Sequence, residues 1–142
     1  MTEPLENVRV GMTGRHELKV TREVTVGAHV DGMPFVLGTP MMILAMEMAA
    51  NEAVRPYLPA GWATVGSEVH VRHLAPTPLG RTLTATARVI EISGRALVFA
   101  VEAHDGVRKV GDGTHGRGAV NLESFAKRLA AEAGSTSQRD GL

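Results

Sequence analysis

At 142 residues, with 15 basic and 15 acidic side chains cancelling to zero formal charge, the chain has the length of one domain and no electrostatic case for gripping nucleic acid. It contains no cysteine, which excludes a disulfide framework and thiol chemistry. Its apolar fraction of 44% suits a globular protein with its own core, and its longest apolar run, near 41–50, is too short to cross a bilayer.

The first residues, Met1 to Asn7, have neither a basic stretch nor an apolar one, so they do not read as a signal peptide; this and the missing cysteine fit a cytoplasmic protein. Residues 1–15 are weakly patterned. From Glu17 to Val26 the residues Leu18, Val20, Val24 and Val26 alternate as in a strand. Gly27, Gly32, Pro34 and Gly38 then predict a mobile loop. Thr39 is a good N-cap and Pro40 suits the first helical position, and the helix they open is expected to end near Arg55-Pro56. Strands follow at 63–74, from Arg81 to Ile92 and from Arg95 to His104. Asp105-Gly106 signals a two-residue hairpin, and a glycine-broken strand runs from Val107 to about Leu122. A short amphipathic turn through Leu122, Phe125 and Leu129 precedes a tail, 134–142, whose composition reads as disordered.

One strand, a long apolar helix and four meandering strands describe a single α+β domain over 1–142, its core at about 17–125. An apolar helix of about four turns needs cover on most sides, and one antiparallel sheet curling around it supplies that cover, as in the hot-dog fold. A single copy leaves strand edges and part of the helix open, so a homodimer or higher homo-oligomer is expected.

The helix GTPMMILAMEMAA, Gly38 to Ala50, carries one charge, Glu47, and a bare carboxylate in an apolar setting is costly unless paired, hydrogen-bonded or protonated. Thr39 and Glu47 differ by roughly 80° around the helix, which puts them on the border of one side, near a helix start with free N–H groups. Along the strand at 63–74, alternation puts Val65, Val69, Val71 and His73 on one face and Glu68, His70 and Arg72 on the other. His70 and His73 therefore face opposite ways and cannot share a metal ion. A hydroxyl, a carboxylate and an imidazole can thus converge. The structural alternatives are a capping Thr39, a Glu47 paired with Arg72 or Arg117, and a hydrogen-bonded core His73. The run Gly111 to Gly118 lacks the context of a phosphate loop and reads as a bulged strand, with Arg81, Arg108, Lys109 and Arg117 either surface charges or contacts to a nucleotide phosphate.

Taken in order, Val36-Leu37-Gly38-Thr39-Pro40, Met46-Glu47, Val65-Gly66, the run from Val71 to Gly80 and the run from Gly111 to Arg117 resemble the fluoroacetyl-CoA thioesterase-like branch of the hot-dog thioesterases, over about Glu17 to Phe125. The resemblance implies hydrolysis of a small acyl-CoA in a homodimer with sites near the subunit interface. No cofactor is implied, CoA being part of the substrate. It places the family's catalytic threonine, glutamate and histidine on Thr39, Glu47 and His73, and a glycine that orients the thioester on Gly66. The family's lid loop is His29 to Phe35 here, with Phe35 and Met33 as substrate-binding candidates beside Arg117. Asp31 and Met33 depart from an aromatic lid, so fluoroacetyl selectivity is not implied. Two mechanisms fit: Thr39 attacks with His73 as base and Glu47 orienting it, or Glu47 acts on the carbonyl or a water while Thr39 orients the thioester. A hydratase or dehydratase, or a non-catalytic acyl-CoA binding module, are the other functional classes.

Overall fold

A computed structural model describes residues 3–140, with side chains described to residue 134. Five antiparallel strands form one sheet in the order β1-β3-β4-β5-β2: β1 (Thr13–Lys19), β2 (Trp62–His73), β3 (Thr82–Ser93), β4 (Ala96–His104) and β5 (Lys109–Asn121). Helix α1 (Thr39–Val54) lies on the concave face, and α2 (Leu122–Asp140) leaves the end of β5. This is the expected hot-dog architecture. Among the described residues no helix is long and apolar enough to cross a membrane.

The core forms between α1 and the inward rows of the sheet. Met42, Ala45, Met46, Ala49, Ala50 and Ala53 recur at helical spacing and are buried. They meet Leu83, Ala85, Ala87 and Val89 of β3 and Leu97, Phe99, Val101 and Ala103 of β4. The alanines let the helix come close to the strands. At Gly14 of β1 the approach is closest: a Cβ there would strike the backbone of Ala49 and Ala53. The opposite side of α1 is less covered, with Leu44 and Met48 exposed one turn apart.

Several boundaries differ from expectation. The first strand starts at Thr13, inside the stretch that looked unpatterned, and ends at Lys19. Residues 22–24 and 26–28 are 3-10 turns instead of strand. Val20 and Val24 are both buried there, because a spacing of four satisfies a turn as well as an alternating strand. The loop before α1 is pinned rather than mobile: Val26 N–H donates to Val36 O, Gly27 N–H to Pro34 O and Leu37 N–H to Thr77 O. The β4–β5 connection spans four residues, not two. Its buried Asp105 carboxylate accepts from the N–H groups of Val107 and Arg108 at 3.0 Å each and from Arg81 at 3.0 Å. Helix α2 runs to Asp140, well past the expected short turn and through most of the expected tail; Gly141 and Leu142 lie outside the described residues.

Candidate active site

Strand β2 builds most of the site, and a bulge decides how. Gly66 pairs with Arg117 and Glu68 with Gly116, leaving Ser67 as an extra residue. The alternation therefore changes phase at Ser67. Beyond it Val69, Val71 and His73 share the inner row, as expected. Before it the inner residues are Thr64 and Gly66, and Val65, expected inside, is turned outward and exposed. Glu68, His70 and Arg72 face out, where His70 meets Glu68 and Arg72 meets Asp112.

At the helix start, the cap is Gly38, with Thr39 and Pro40 as the first two helical residues and no side-chain cap. The Thr39 hydroxyl is thereby free for another use, and Thr39 Oγ1 lies 2.7 Å from His73 Nδ1. Fewer free N–H groups remain here than a helix start normally offers, because Pro40 has none and Met41 and Met42 donate to Gly38 O; among the described residues, the Thr39 amide has no partner. The other ring nitrogen, His73 Nε2, is buried and among the described residues has no hydrogen-bond partner. Burial holds the His73 imidazole below the ordinary histidine value, the Ala75 backbone partly opposing it. A cavity of about 330 Å³ opens on this pair, lined by Val26, Val36, Leu37, Leu74, Ala75 and Pro76.

Glu47 is elsewhere. It lines a second cavity of about 370 Å³ with Leu44, Met48, Thr64, Gly66 and Arg117. Eight residues advance a helix by about 12 Å, so an 80° angular offset alone does not bring Thr39 and Glu47 into one pocket. The carboxylate packs over Gly66, where a Cβ would collide with it, and its Oε1 is 3.8 Å from His115 Nε2. Of the proposed structural partners, Arg72 is on the wrong face. Arg117 is buried beside Glu47, its guanidinium donating to Thr64 Oγ1 at 2.9 Å and Thr64 O at 2.7 Å. Burial pushes the Arg117 value down and the Glu47 charge opposes that shift. Arg117 is thus buried in the wall of the Glu47 cavity and is not a surface charge.

The structure thus brings Thr39 to His73 and, separately, Glu47 to Gly66 and Arg117. Phe35 and Met33 line neither cavity. Phe35 is held outside by Arg22, whose guanidinium sits 4.4 Å from the ring centroid, and Met33 is exposed. One site neighbour escaped the sequence reading. His115 is 1% exposed, yet it sat unremarked in a glycine-rich run. Its alternation with Arg117 was the available signal.

Gly66→Ala tests the second cavity. The obstructing atoms are the free end of the Glu47 side chain and, at 3.2 Å, His115 Cε1, so side chains rather than backbone must yield. Thermal stability is expected to change little, while kcat falls by about 10- to 100-fold through misplacement of the carboxylate. Paired melting curves and steady-state kinetics check this; an unaltered kcat would mean that Glu47 has no fixed catalytic position.

The chain matches known proteins over most of its length. The model of the family described as FlK, fluoroacetyl-CoA-specific thioesterase, matches residues 20–123. A fluoroacetyl-CoA thioesterase of Streptantibioticus cattleyicolor is 37% identical over 130 residues, covering 87% of this chain and 94% of that one. Among solved structures, a variant of the FlK thioesterase in complex with fluoroacetate and CoA is 38% identical with a TM-score of 0.78, covering 83% of this chain and 99% of the other. A thioesterase superfamily member from Thermus thermophilus is 26% identical with a TM-score of 0.80, covering 92% and 98%.

Proposed function

Since the chain belongs to the fluoroacetyl-CoA-specific thioesterase family, we propose that it hydrolyses a small acyl-CoA at a site assembled from two copies of itself, with Thr39 as nucleophile, His73 as base and Glu47 of the partner subunit as the carboxylate. Thioester hydrolysis is the reaction. The assignment of roles rests chiefly on one observation: Thr39 Oγ1 is hydrogen-bonded to His73 Nδ1 while His73 Nε2 is buried and unpartnered.

If the hydroxyl donates to Nδ1, the ring proton is on Nε2, and a buried N–H without an acceptor costs about 1–3 kcal/mol. A carboxylate there removes that cost and steadies the imidazolium formed in catalysis. The chain's own Glu47 is in the other cavity, so a second copy is the natural source. Strand β2 is an edge strand with one row of backbone groups unpaired, and Leu44 and Met48 are exposed beside it. Pairing two β2 edges antiparallel about an axis near Val69 and His70 sets residue 73 of one copy opposite residue 66 of the other, under the Glu47 carboxylate. Both helices then lie on one face of a continuous sheet.

Thr39 Oγ attacks the thioester carbon as His73 Nδ1 takes its proton. The oxyanion forms at the positive end of α1, near the free Thr39 amide. Collapse breaks the C–S bond, and the CoA sulfur leaves with the proton from His73. Water, activated by the now neutral His73, then releases the acid from Thr39. Neither Phe35 nor Met33 lines the Thr39 cavity, which supports a substrate range set by other residues than an aromatic lid.

The test is thiol release from short, branched, aromatic and halogenated acyl-CoAs, with mass spectrometry for an acyl group on Thr39. Free CoA with a transient acyl-Thr39 is the expected result. Enoyl interconversion without thiol release, or ligand-induced stabilisation without turnover, would assign the protein to another class. The pH profile carries its own expectation. His73 works as a neutral base, so kcat/KM should fall at acid pH. Burial in the single chain holds the imidazole below the ordinary histidine value, and a carboxylate at Nε2 opposes that. The acid limb of Glu47→Gln, followed on its residual activity, should therefore lie at lower pH than that of wild type. A limb at the same pH in both proteins would contradict a carboxylate at that nitrogen.

A further inference from the structure

His115 is a buried titratable side chain that the mechanism does not use. It sits on β5 between Gly113 and Arg117 of the same row, with Phe99 of β4 stacked at 6.3 Å. Burying an imidazole for packing alone is costly, since a phenyl ring fills the same space without polar atoms. Its two nitrogens are both engaged. Nδ1 lies 2.9 Å from Glu68 O, the carbonyl just past the bulge, and a carbonyl only accepts, so Nδ1 carries the proton. Nε2 lies 3.2 Å from Arg117 Nη1, and a guanidinium only donates, so Nε2 carries the lone pair. Two independent neighbours thus select the same neutral tautomer.

We propose that His115 is a positioning residue for Glu47: tied to the Glu68 carbonyl on one side, it fixes the Arg117 guanidinium on the other, and that fixed cation holds the Glu47 carboxylate over Gly66. The proposal rests on Glu47 acting in hydrolysis. The Arg117 guanidinium is clamped at three points, by Thr64 Oγ1, Thr64 O and His115 Nε2, and only the last comes from a side chain that can change protonation state. The groups facing His115 are Glu47 of α1, Arg117 of its own strand, the Glu68 carbonyl of β2 and the uncharged Phe99 of β4; the Glu68 carboxylate is turned outward to His70. Burial lowers the His115 value first, Arg117 adds to that, and the Glu68 carbonyl and Glu47 oppose it, which keeps the ring neutral at neutral pH. Protonation would put an N–H on Nε2, 3.8 Å from Glu47 Oε1, and against a cation at Arg117. The acceptor for Arg117 disappears and the carboxylate is drawn to the imidazolium.

Two variants and a control test this. His115→Phe keeps the stack on Phe99 and removes the acceptor; kcat is expected to fall about 10- to 100-fold with KM for acyl-CoA within about threefold of wild type. His115→Gln restores an oxygen acceptor at the Nε2 position without titrating, and should recover at least about tenfold of the loss seen with Phe. In wild type two histidines must be neutral, so log kcat/KM should approach a slope of 2 at acid pH, against 1 in His115→Gln. Full activity in His115→Phe, or a slope unchanged in His115→Gln, overturns the proposal. Should His115→Phe fail to fold, the slope in His115→Gln decides alone. Glu47→Gln separates the two levels: if it retains activity, the role given to Glu47 fails, whereas an inactive Glu47→Gln beside a fully active His115→Phe leaves Glu47 in place and removes His115.

Discussion

Hydrolysis should fall by about 10³-fold or more in His73→Ala and in Glu47→Gln, and should return to about a quarter of wild type when the two inactive proteins are mixed and allowed to exchange protomers. The size of the His73→Ala loss follows from the proposed role of His73 as proton acceptor for Thr39, 2.7 Å away, with no other base within hydrogen-bonding reach of that hydroxyl among the described residues. That of Glu47→Gln follows from the proposed support of the imidazolium by the carboxylate. The recovery follows from the two cavities. In a mixed dimer one site receives both lesions and the other receives neither, because the imidazole comes from the Glu47→Gln chain and the carboxylate from the His73→Ala chain. Random exchange makes about half the dimers mixed, each with one sound site of two. Were all three groups drawn from one chain, every site would hold a lesion and mixing would recover nothing. The readout is thiol release against mixing ratio, with unmixed variants as baseline.

Gly14→Ala is expected to destabilise the fold by at least about 3 kcal/mol, or to prevent folding, although it adds a single methyl group at the end of an edge strand. The added carbon would meet the Ala49 carbonyl and the Ala53 amide. These are backbone atoms in the C-terminal half of α1, so relief requires that part of the helix to lift off β1. Lifting it would open the interface with β3, where Leu83 and Val89 are buried. Urea denaturation and the yield of soluble protein check this. A loss below about 1 kcal/mol would mean that the helix adjusts to β1 more easily than so tight a contact allows. Gly32→Ala is a useful contrast: a Cβ there meets nothing, and its cost is limited to a φ of 82°.

The sequence made the order of elements legible because the apolar spacing changes character at each boundary. The run of apolar residues from Met41 to Ala50 cannot be a strand, and the alternation in β3 and β4 is nearly unbroken. His73 was placed on the correct face because the alternation from Val69 onward is regular. Val65 was placed on the wrong one because a bulge leaves no mark in the residue pattern; Gly66-Ser67 reads as ordinary strand. The separation of Thr39 from Glu47 was hidden for another reason. A helical projection shows angle and suppresses rise, and here the rise decides which cavity each residue enters. In the sequence Arg117 reads equally as a surface charge, as arginine usually is, or as a substrate contact. Its burial depends on Thr64 and His115 standing across from it, a tertiary fact. Thr39 looked like a cap because threonine commonly caps helices; with Gly38 in that role, its hydroxyl is released for His73.

The single extra residue at Ser67 works as a vernier. Inserting one residue opposite it, between Gly116 and Arg117 of β5, would restore an even ladder, turning the Val65 methyls toward the space that Gly66 leaves empty for a carboxylate. The hydroxyl–imidazole pair at the far end would be untouched while the acid lost its seat. A length change of one, invisible to any comparison of residue types, would silence the enzyme without altering one of the groups that act on the thioester.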